Sequence, residues 1–321
     1  MNWLVTGAGG LIGTALVDCL LKQKSERGMI RGVYVAGRNP AELKKRFDDC
    51  VNIIFYDAEK PVTFDFHTDV IVHAASPSSP ELFTEKPVET MMANVYGVKM
   101  LLDYAVRCKA KKFVYVSSSE VYGKVPTRPD GYREDDYGFV DILDVRSSYP
   151  MGKRAAETLC VSFAKEYGLD VSIVRPGHIY GPTASPKDKR VASAFAWAAA
   201  RGEPLVLKSD GASLRSYTHA NDCAYAIMKV VEEGESCEAY NIANSDGVCS
   251  IRRMAEIMAN EGGVELRFER ANGVEENSFN PMNNSCLNST KLQSLGWRGT
   301  IGYEEGFRST VRAIRLKLKK A

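Results

Sequence analysis

Four consecutive residues at the end of an apolar run, Ser117-Ser118-Ser119-Glu120, are followed 32 positions after Ser117 by Tyr149 and four further on by Lys153. Hydroxyls, a phenol, an ammonium and a carboxylate are the groups that a site moving protons and hydride needs. Tyr149 and Lys153 lie one helical turn apart and can share a face, so the ammonium is expected to favour tyrosinate over a phenol whose ordinary pKa is about 10. A tyrosinate is a base for an alcohol proton. The same spacing recurs at Tyr56/Lys60 and Tyr225/Lys229, but the first pair runs into Pro61 and the second sits mid-helix. Only Tyr149/Lys153 follows a serine-bearing strand end.

Those residues need elements to hold them, and the chain opens with one. Residues 2–6 read as a strand, Gly7, Gly10 and Gly13 as a tight turn, and the residues from Leu11 onward as a helix with apolar positions at helical spacing. Glycine allows close backbone approach, and the first N–H groups of such a helix, at Leu11, Ile12 and Gly13, suit a pyrophosphate. The second strand ends at Arg38 with no acid for an adenosine ribose, so Arg38 points toward a 2′-phosphate and NADP. A third apolar run ends at Asp57, which can bond an adenine edge. A fourth ends in Ala74-Ala75-Ser76, small residues that let a cofactor pass; His73 beside them reads as packing.

Further apolar strands, 112–116 and 170–175, alternate with helical patterns, giving an α/β fold: a Rossmann-type doubly wound parallel sheet. Ligands on such sheets bind beyond the strand carboxyl ends, so the glycine turn, Ala74-Ala75-Ser76, the serines and Arg175-Pro176-Gly177-His178 are expected to share one cleft. That makes Ser117 and Pro176 further cofactor-binding candidates. After Pro182 come loops, a helix at 189–201, a short strand at 204–207 and Gly/Asn-rich connections around 270–285, read as a smaller C-terminal substrate-binding domain. Residues 218–234 read as a helix returning to the sheet. The expected division is 1–175 with 212–242 for the dinucleotide domain, and 176–211 with 243–321 for the substrate domain.

Composition bounds the class. Apolar content of 45% and charged content of 26% are those of a soluble globular protein. The eight cysteines and four histidines form no ligand or disulfide pattern, so no metal site is expected. A net charge of +2 gives no footprint for nucleic acid, and the basic tail 312–320 reads as the solvated face of a last helix. No apolar stretch is long enough to cross a bilayer and no leader precedes the first strand, so no membrane association and a cytoplasmic location are expected.

Taken together, Thr6-Gly7-x-x-Gly10-x-x-Gly13, Ser118-Ser119-Glu120-Val121-Tyr122-Gly123, Tyr149-x-x-x-Lys153, Arg175-Pro176-Gly177-x-Ile179-Tyr180-Gly181-Pro182 and Leu295-Gly296-Trp297 resemble the extended short-chain dehydrogenase/reductases that act on nucleotide sugars as epimerases, dehydratases and decarboxylases. The resemblance spans nearly the whole chain. His73 to Pro80 and Asp188 to Phe195 look most like UDP-glucuronate decarboxylases.

The resemblance implies that Ser118 bonds the sugar 4-hydroxyl, that Tyr149 takes its proton, and that Lys153 holds a retained nicotinamide and lowers the tyrosine pKa. It implies NAD, where Arg38 suggests NADP. Glu120 is implied to act at C5 or C6 of the resulting 4-keto sugar, and decarboxylation or epimerisation follows. Ser76, Ser119, His178, Arg190 and Arg215 are implied on the substrate side, Arg215 as the grip on the nucleotide diphosphate. Ser119 stands where 4,6-dehydratases of that family carry an aspartic acid, which counts against dehydration. His178 replaces a usual asparagine, and a late phosphate-binding arginine is missing from 283–288. A 4,6-dehydratase or ketosugar reductase is the alternative within this class; a non-catalytic NAD(P)-binding sensor or scaffold is the alternative outside it. The resemblance also implies a homodimer through helices at 88–108 and 150–167.

Overall fold

The first strand, β1 (Asn2–Thr6), sends Trp3 and Val5 to one side and Leu4 to the other, all three buried. Alternation with burial on both faces is the mark of a strand in the middle of a layered α/β sheet. The structure, a computed structural model, describes residues 1–77, 79–126, 128–269 and 284–320. Seven parallel strands form the main sheet in the spatial order β10-β6-β5-β4-β1-β2-β3, where β2 is Gly32–Gly37, β3 Asn52–Phe55, β4 Val70–His73, β5 Lys112–Val116, β6 Val171–Pro176 and β10 Ala239–Ile242. From β1 the chain steps one way to β2 and β3, then crosses to the other side of β1 for β4, β5 and β6. That reversal opens a crevice above the carboxyl ends of β1 and β4.

Helices cover both faces. On one, α1 (Leu11–Arg27), α2 (Pro40–Phe47) and α7 (Ala220–Glu233) meet Val5, Val33, Val35, Val72 and Val114. On the other, α4 (Pro87–Arg107) and α5 (Ser148–Tyr167) pack along each other over Leu4, Ile71, Phe113, Tyr115, Val171 and Ile173. The short α3 (Pro80–Glu85) lies between β4 and α4 and packs on the start of α5.

A second layer stands beyond the strand ends. Strands β7 (His178–Tyr180), β9 (Leu214–His219), β11 (Val248–Ser250) and β13 (Asn284–Ser285) form a small sheet, and β8 (Leu205–Leu207) pairs with β12 (Leu266–Phe268). Helices α6 (Val191–Arg201), α8 (Ile251–Gly262) and the C-terminal helix Tyr303–Lys320 surround a separate core of Tyr180, Trp197, Tyr217, Met254 and Phe307. The boundary expected at 212 falls inside this layer, because β9 pairs with β7, β11 and β13 and not with the main sheet. Thr218 and His219, expected to begin a helix, are the last residues of β9, paired with Ile179 and Tyr180. The His219 ring then accepts from the Asn221 N–H at 3.2 Å and caps α7. Most of the expected connection around 270–285 lies outside the described residues. No described helix is long and apolar enough to cross a membrane.

Candidate active site

The glycine turn is shaped by contact. Gly7 has a φ of 69°, and a Cβ there would sit 2.7 Å from the carbonyl carbon of Ala74 and the nitrogen of Ala75. A Cβ on Gly13 would meet the Gly7 carbonyl oxygen at 2.2 Å. The turn therefore lies directly against the Ala74-Ala75 segment after β4, and no side chain can fill the space between. Gly10 precedes α1 in extended conformation without a side-chain cap, and the Thr14 N–H makes the first intrahelical bond back to it at 2.9 Å. The amides of Leu11, Ile12 and Gly13 are thus helix-start donors with the positive dipole end behind them. This cradle fits a dinucleotide pyrophosphate. Exposed Arg38 follows β2, and partly exposed Asp57 follows β3 and accepts from the Glu59 N–H at 3.2 Å.

Tyr149, in the first turn of α5, is buried and stacks on Phe83 of α3 with ring centroids 4.1 Å apart and planes 9° from parallel. Ser118, two residues past β5, lies close enough to the phenol to favour its ionised form. The Ser118 hydroxyl also accepts from the Glu120 N–H at 3.2 Å. Lys153 does lie one turn along α5, with Nζ 5.8 Å from the Tyr149 ring centroid, but it donates to the Val116 carbonyl at 2.9 Å and sits 4.7 Å from the Tyr115 ring centroid. The expected lowering of the tyrosine pKa is not what this arrangement produces. Burial, and then the Glu120 charge, push Tyr149 up to about 12 against smaller opposing effects of Ser118, Arg190 and Arg146. Burial also pushes Lys153 down to about 7, with Glu157 opposing.

The serines divide. The Ser117 hydroxyl donates to Glu157 at 2.5 Å, and Glu157 is gripped by Arg175 at 2.7 and 3.0 Å. This buried network ties β5, α5 and β6 together and engages the Ser117 hydroxyl in the core. Ser119 is buried. Glu120 is held by both terminal nitrogens of Arg146 at 2.9 and 3.2 Å, with only 16% of its side chain exposed. Sequence reasoning passed over Arg146; the signal was a basic residue three positions before Tyr149.

On the facing side, Ser76 donates to Asn94 of α4 at 2.8 Å, another partner that went unread. Arg190 pairs with Asp188 through its Nε at 3.0 Å and Nη2 at 2.5 Å. Arg215 is buried in β9, donates to the Leu214 carbonyl at 2.9 Å, and its pKa is lowered by burial. His178 follows Pro176 and Gly177. Burial pushes it down to about 3, and the Arg215 and Arg190 charges push it the same way. Ser118, Glu120, Arg146, Tyr149, Lys153, His178, Arg190 and Arg215 thus form one electrostatic neighbourhood where the small layer meets the main sheet. Buried His73 donates to or accepts from Thr6 at 2.6 Å and packs between Tyr56 and Tyr115. Among the described residues no group of His, Cys, Asp and Glu is arranged to hold a metal ion.

Residues 3–243 match the model of the NAD dependent epimerase/dehydratase family. The Arabidopsis thaliana protein UDP-glucuronic acid decarboxylase 6 is 32% identical over 325 residues, covering 99% of this chain and 90% of that protein. A Streptomyces venezuelae dTDP-glucose 4,6-dehydratase, solved with NAD bound, superposes with a TM-score of 0.85 at 25% identity, over 100% of this chain and 98% of that one. The UDP-glucose 4-epimerase of Thermotoga maritima shares the fold with a TM-score of 0.87 at 24% identity, over 99% of this chain and 100% of that one.

Proposed function

This chain belongs to the NAD-dependent epimerase/dehydratase family, and from that premise we propose that it decarboxylates a UDP-linked uronic acid, UDP-glucuronate, with a cofactor retained through the cycle. The observation that carries this reading is the close approach of Ser118 to the Tyr149 phenol, with Lys153 one helical turn away and Glu120 beside them. Similarity to a UDP-glucuronic acid decarboxylase along 99% of the chain supports the substrate. Ser119, in place of an acid, supports decarboxylation over dehydration.

The glycine cradle, Ala74, Ala75 and Lys153 would hold the nicotinamide dinucleotide, with Arg38 and Asp57 at its adenosine end. The chemistry supplied by the bound nicotinamide is acceptance of a hydride from sugar C4 and its later return. Ser118 orients the 4-hydroxyl, and Tyr149 accepts its proton as the C4 hydride leaves. The C6 carboxylate is then β to a ketone, so the C5–C6 bond breaks, carbon dioxide departs and its electron pair stays on C5. A proton delivered to C5, with Glu120 as the nearby acid–base group, completes the pentose ring carbon, and Tyr149 returns its proton to O4 on reduction. NAD is the proposed form, supported by the NAD-bound dehydratase relative.

Arg215, Arg190, His178, Ser76 and Ser119 are the proposed substrate contacts, supplied partly by the smaller layer, which we take as the substrate-binding lobe. A cytoplasmic homodimer is proposed. Its contact is placed on α4 and α5, where Val88, Met92 and Tyr96 recur every four residues and are 69%, 46% and 42% exposed.

Mass spectrometry of the protein incubated with UDP-, dTDP-, GDP- and CDP-sugars tests the reading. Loss of carbon dioxide from UDP-glucuronate, abolished in Tyr149→Phe, is expected. Unchanged mass with altered retention would mean epimerisation, and loss of water would mean dehydration.

A further inference from the structure

Glu120 and Tyr149 pose a charge conflict. The proposed reaction needs a tyrosinate, yet the Glu120 carboxylate is near enough to oppose one. Arg146 stands against both groups. Its fork takes the two carboxylate oxygens of Glu120 at 2.9 and 3.2 Å, with side-chain exposures of 10% for Arg146 and 16% for Glu120. Its guanidinium carbon lies 5.8 Å from the centroid of Phe83, whose ring stacks on Tyr149.

One short turn assembles all of this. The Asp144 carboxylate accepts from the Arg146 N–H at 2.9 Å, the Ser147 hydroxyl donates to the Asp141 carbonyl at 2.5 Å, and the Ser148 hydroxyl donates to the Phe83 carbonyl at 3.0 Å. Tyr149 is the next residue. Arg146 is therefore fixed relative to the phenol by the backbone that carries it, and relative to Glu120 by a bidentate bond whose geometry a lysine cannot reproduce.

We propose that Arg146 is a positioning residue for proton transfer: its fork compensates the Glu120 carboxylate and pins it beside Tyr149, so that a tyrosinate can form next to a second acid. The groups facing Tyr149 are Ser118 and Glu120 past the end of β5, Tyr115 within β5, Arg146 before α5, Lys153 on α5 and Arg190 before α6, with Phe83 of α3 as an apolar wall. Of these, Glu120 and Arg146 are bonded to one another and act on Tyr149 with opposite sign. The inference rests on Tyr149 as the base of the proposed reaction.

Its test needs neither substrate nor turnover, so an enzyme that acts on a different sugar leaves it standing. The full chain is produced with 3,5-difluorotyrosine, which is more acidic than tyrosine and brings the titration into the range where the protein stays folded. The fluorine resonance of residue 149 is assigned with Tyr149→Phe and followed against pH. Glu120→Gln should lower the midpoint by about one pH unit and Arg146→Gln should raise it by a smaller amount. The Glu120→Gln/Arg146→Gln double variant should titrate between Glu120→Gln and the wild type, and Arg146→Lys should fall between wild type and Arg146→Gln. If Arg146→Gln does not fold, the double variant, which leaves neither charge unpaired, decides: its midpoint should lie measurably above that of Glu120→Gln. A midpoint indifferent to Arg146, or a double variant that titrates with Glu120→Gln, would overturn the proposal.

Discussion

Lys153 Nζ donates to the carbonyl oxygen of Val116 at 2.9 Å, which joins the second turn of α5 to the last residue of β5 immediately before the serines. A buried lysine held by a neutral carbonyl sits in an environment that disfavours its charge, and burial brings its pKa to about 7 from an ordinary 10.5. The unfolded chain then holds a proton that the folded protein lacks between about pH 7 and 10.5, so this group makes stability grow with rising pH across that window. Below pH 7 both states carry the proton and the full penalty of burying the charge stands.

Lys153→Met should therefore be more stable than the wild type at pH 6, by on the order of 2–4 kcal/mol, with the difference shrinking toward pH 10.5. Its turnover should fall by about 10²–10⁴-fold. Urea unfolding at several pH values and steady-state rates read the two effects separately. A variant less stable than wild type at pH 6 would mean that the ammonium finds compensation in the fold.

Buried Glu157 receives the Ser117 hydroxyl and two nitrogens of Arg175. Glu157→Gln leaves the guanidinium buried without its partner charge, so a loss of about 3–5 kcal/mol is expected in chemical denaturation. Glu157→Gln/Arg175→Met, which removes both charges, should be less damaging than Glu157→Gln. Equal damage from both would place the energy in packing and not in the ion pair.

The glycine turn, the serines and Tyr149/Lys153 were legible in the sequence because each is local: strand, turn and helix period follow from neighbouring residues. The doubly wound order followed from alternation of those periods. Partners across the fold were not legible. Glu120 meets Arg146, and Ser76 meets Asn94, only after separate segments have been brought to one strand edge. The direction of the Tyr149 shift was missed for a related reason, since spacing shows which charges are near in sequence while burial is a property of the packed state. Likewise β9, Leu-Arg-Ser-Tyr-Thr-His, carries too few apolar residues to announce a strand, so Thr218 and His219 read as the start of the following helix while the structure pairs them with β7.

His73 is buried and held well below its ordinary pKa of 6.5, at about 3, first by burial and then by the Lys153 charge. The unfolded chain binds this proton first on acidification, so the stability present above pH 6.5 is lost as the pH falls toward 3. His73→Asn should flatten that acid limb by up to about 1.4 kcal/mol per pH unit, whatever its effect at neutral pH. Unfolding free energies at pH 4, 5 and 7 check this, and an unchanged slope would contradict it.

Arg38 is exposed past the end of β2, alongside Asp57 past β3. With NAD as the working cofactor, Arg38→Ala should weaken NAD binding less than about 3-fold while weakening NADP binding 10-fold or more, because only the latter offers a 2′-phosphate to a guanidinium. Calorimetric titration of both dinucleotides into cofactor-stripped protein measures the pair. Tighter binding of NADP than NAD by the wild type would reverse the cofactor assignment.

The central claim, a decarboxylation driven by transient oxidation at C4 with the hydride kept inside the protein, is tested most directly with UDP-glucuronate carrying deuterium at C4. The account predicts a UDP-pentose that has lost carbon dioxide and still carries deuterium at C4, with no net accumulation of reduced cofactor. A decarboxylated product without the label, or a labelled substrate returned without loss of carbon dioxide, would contradict it.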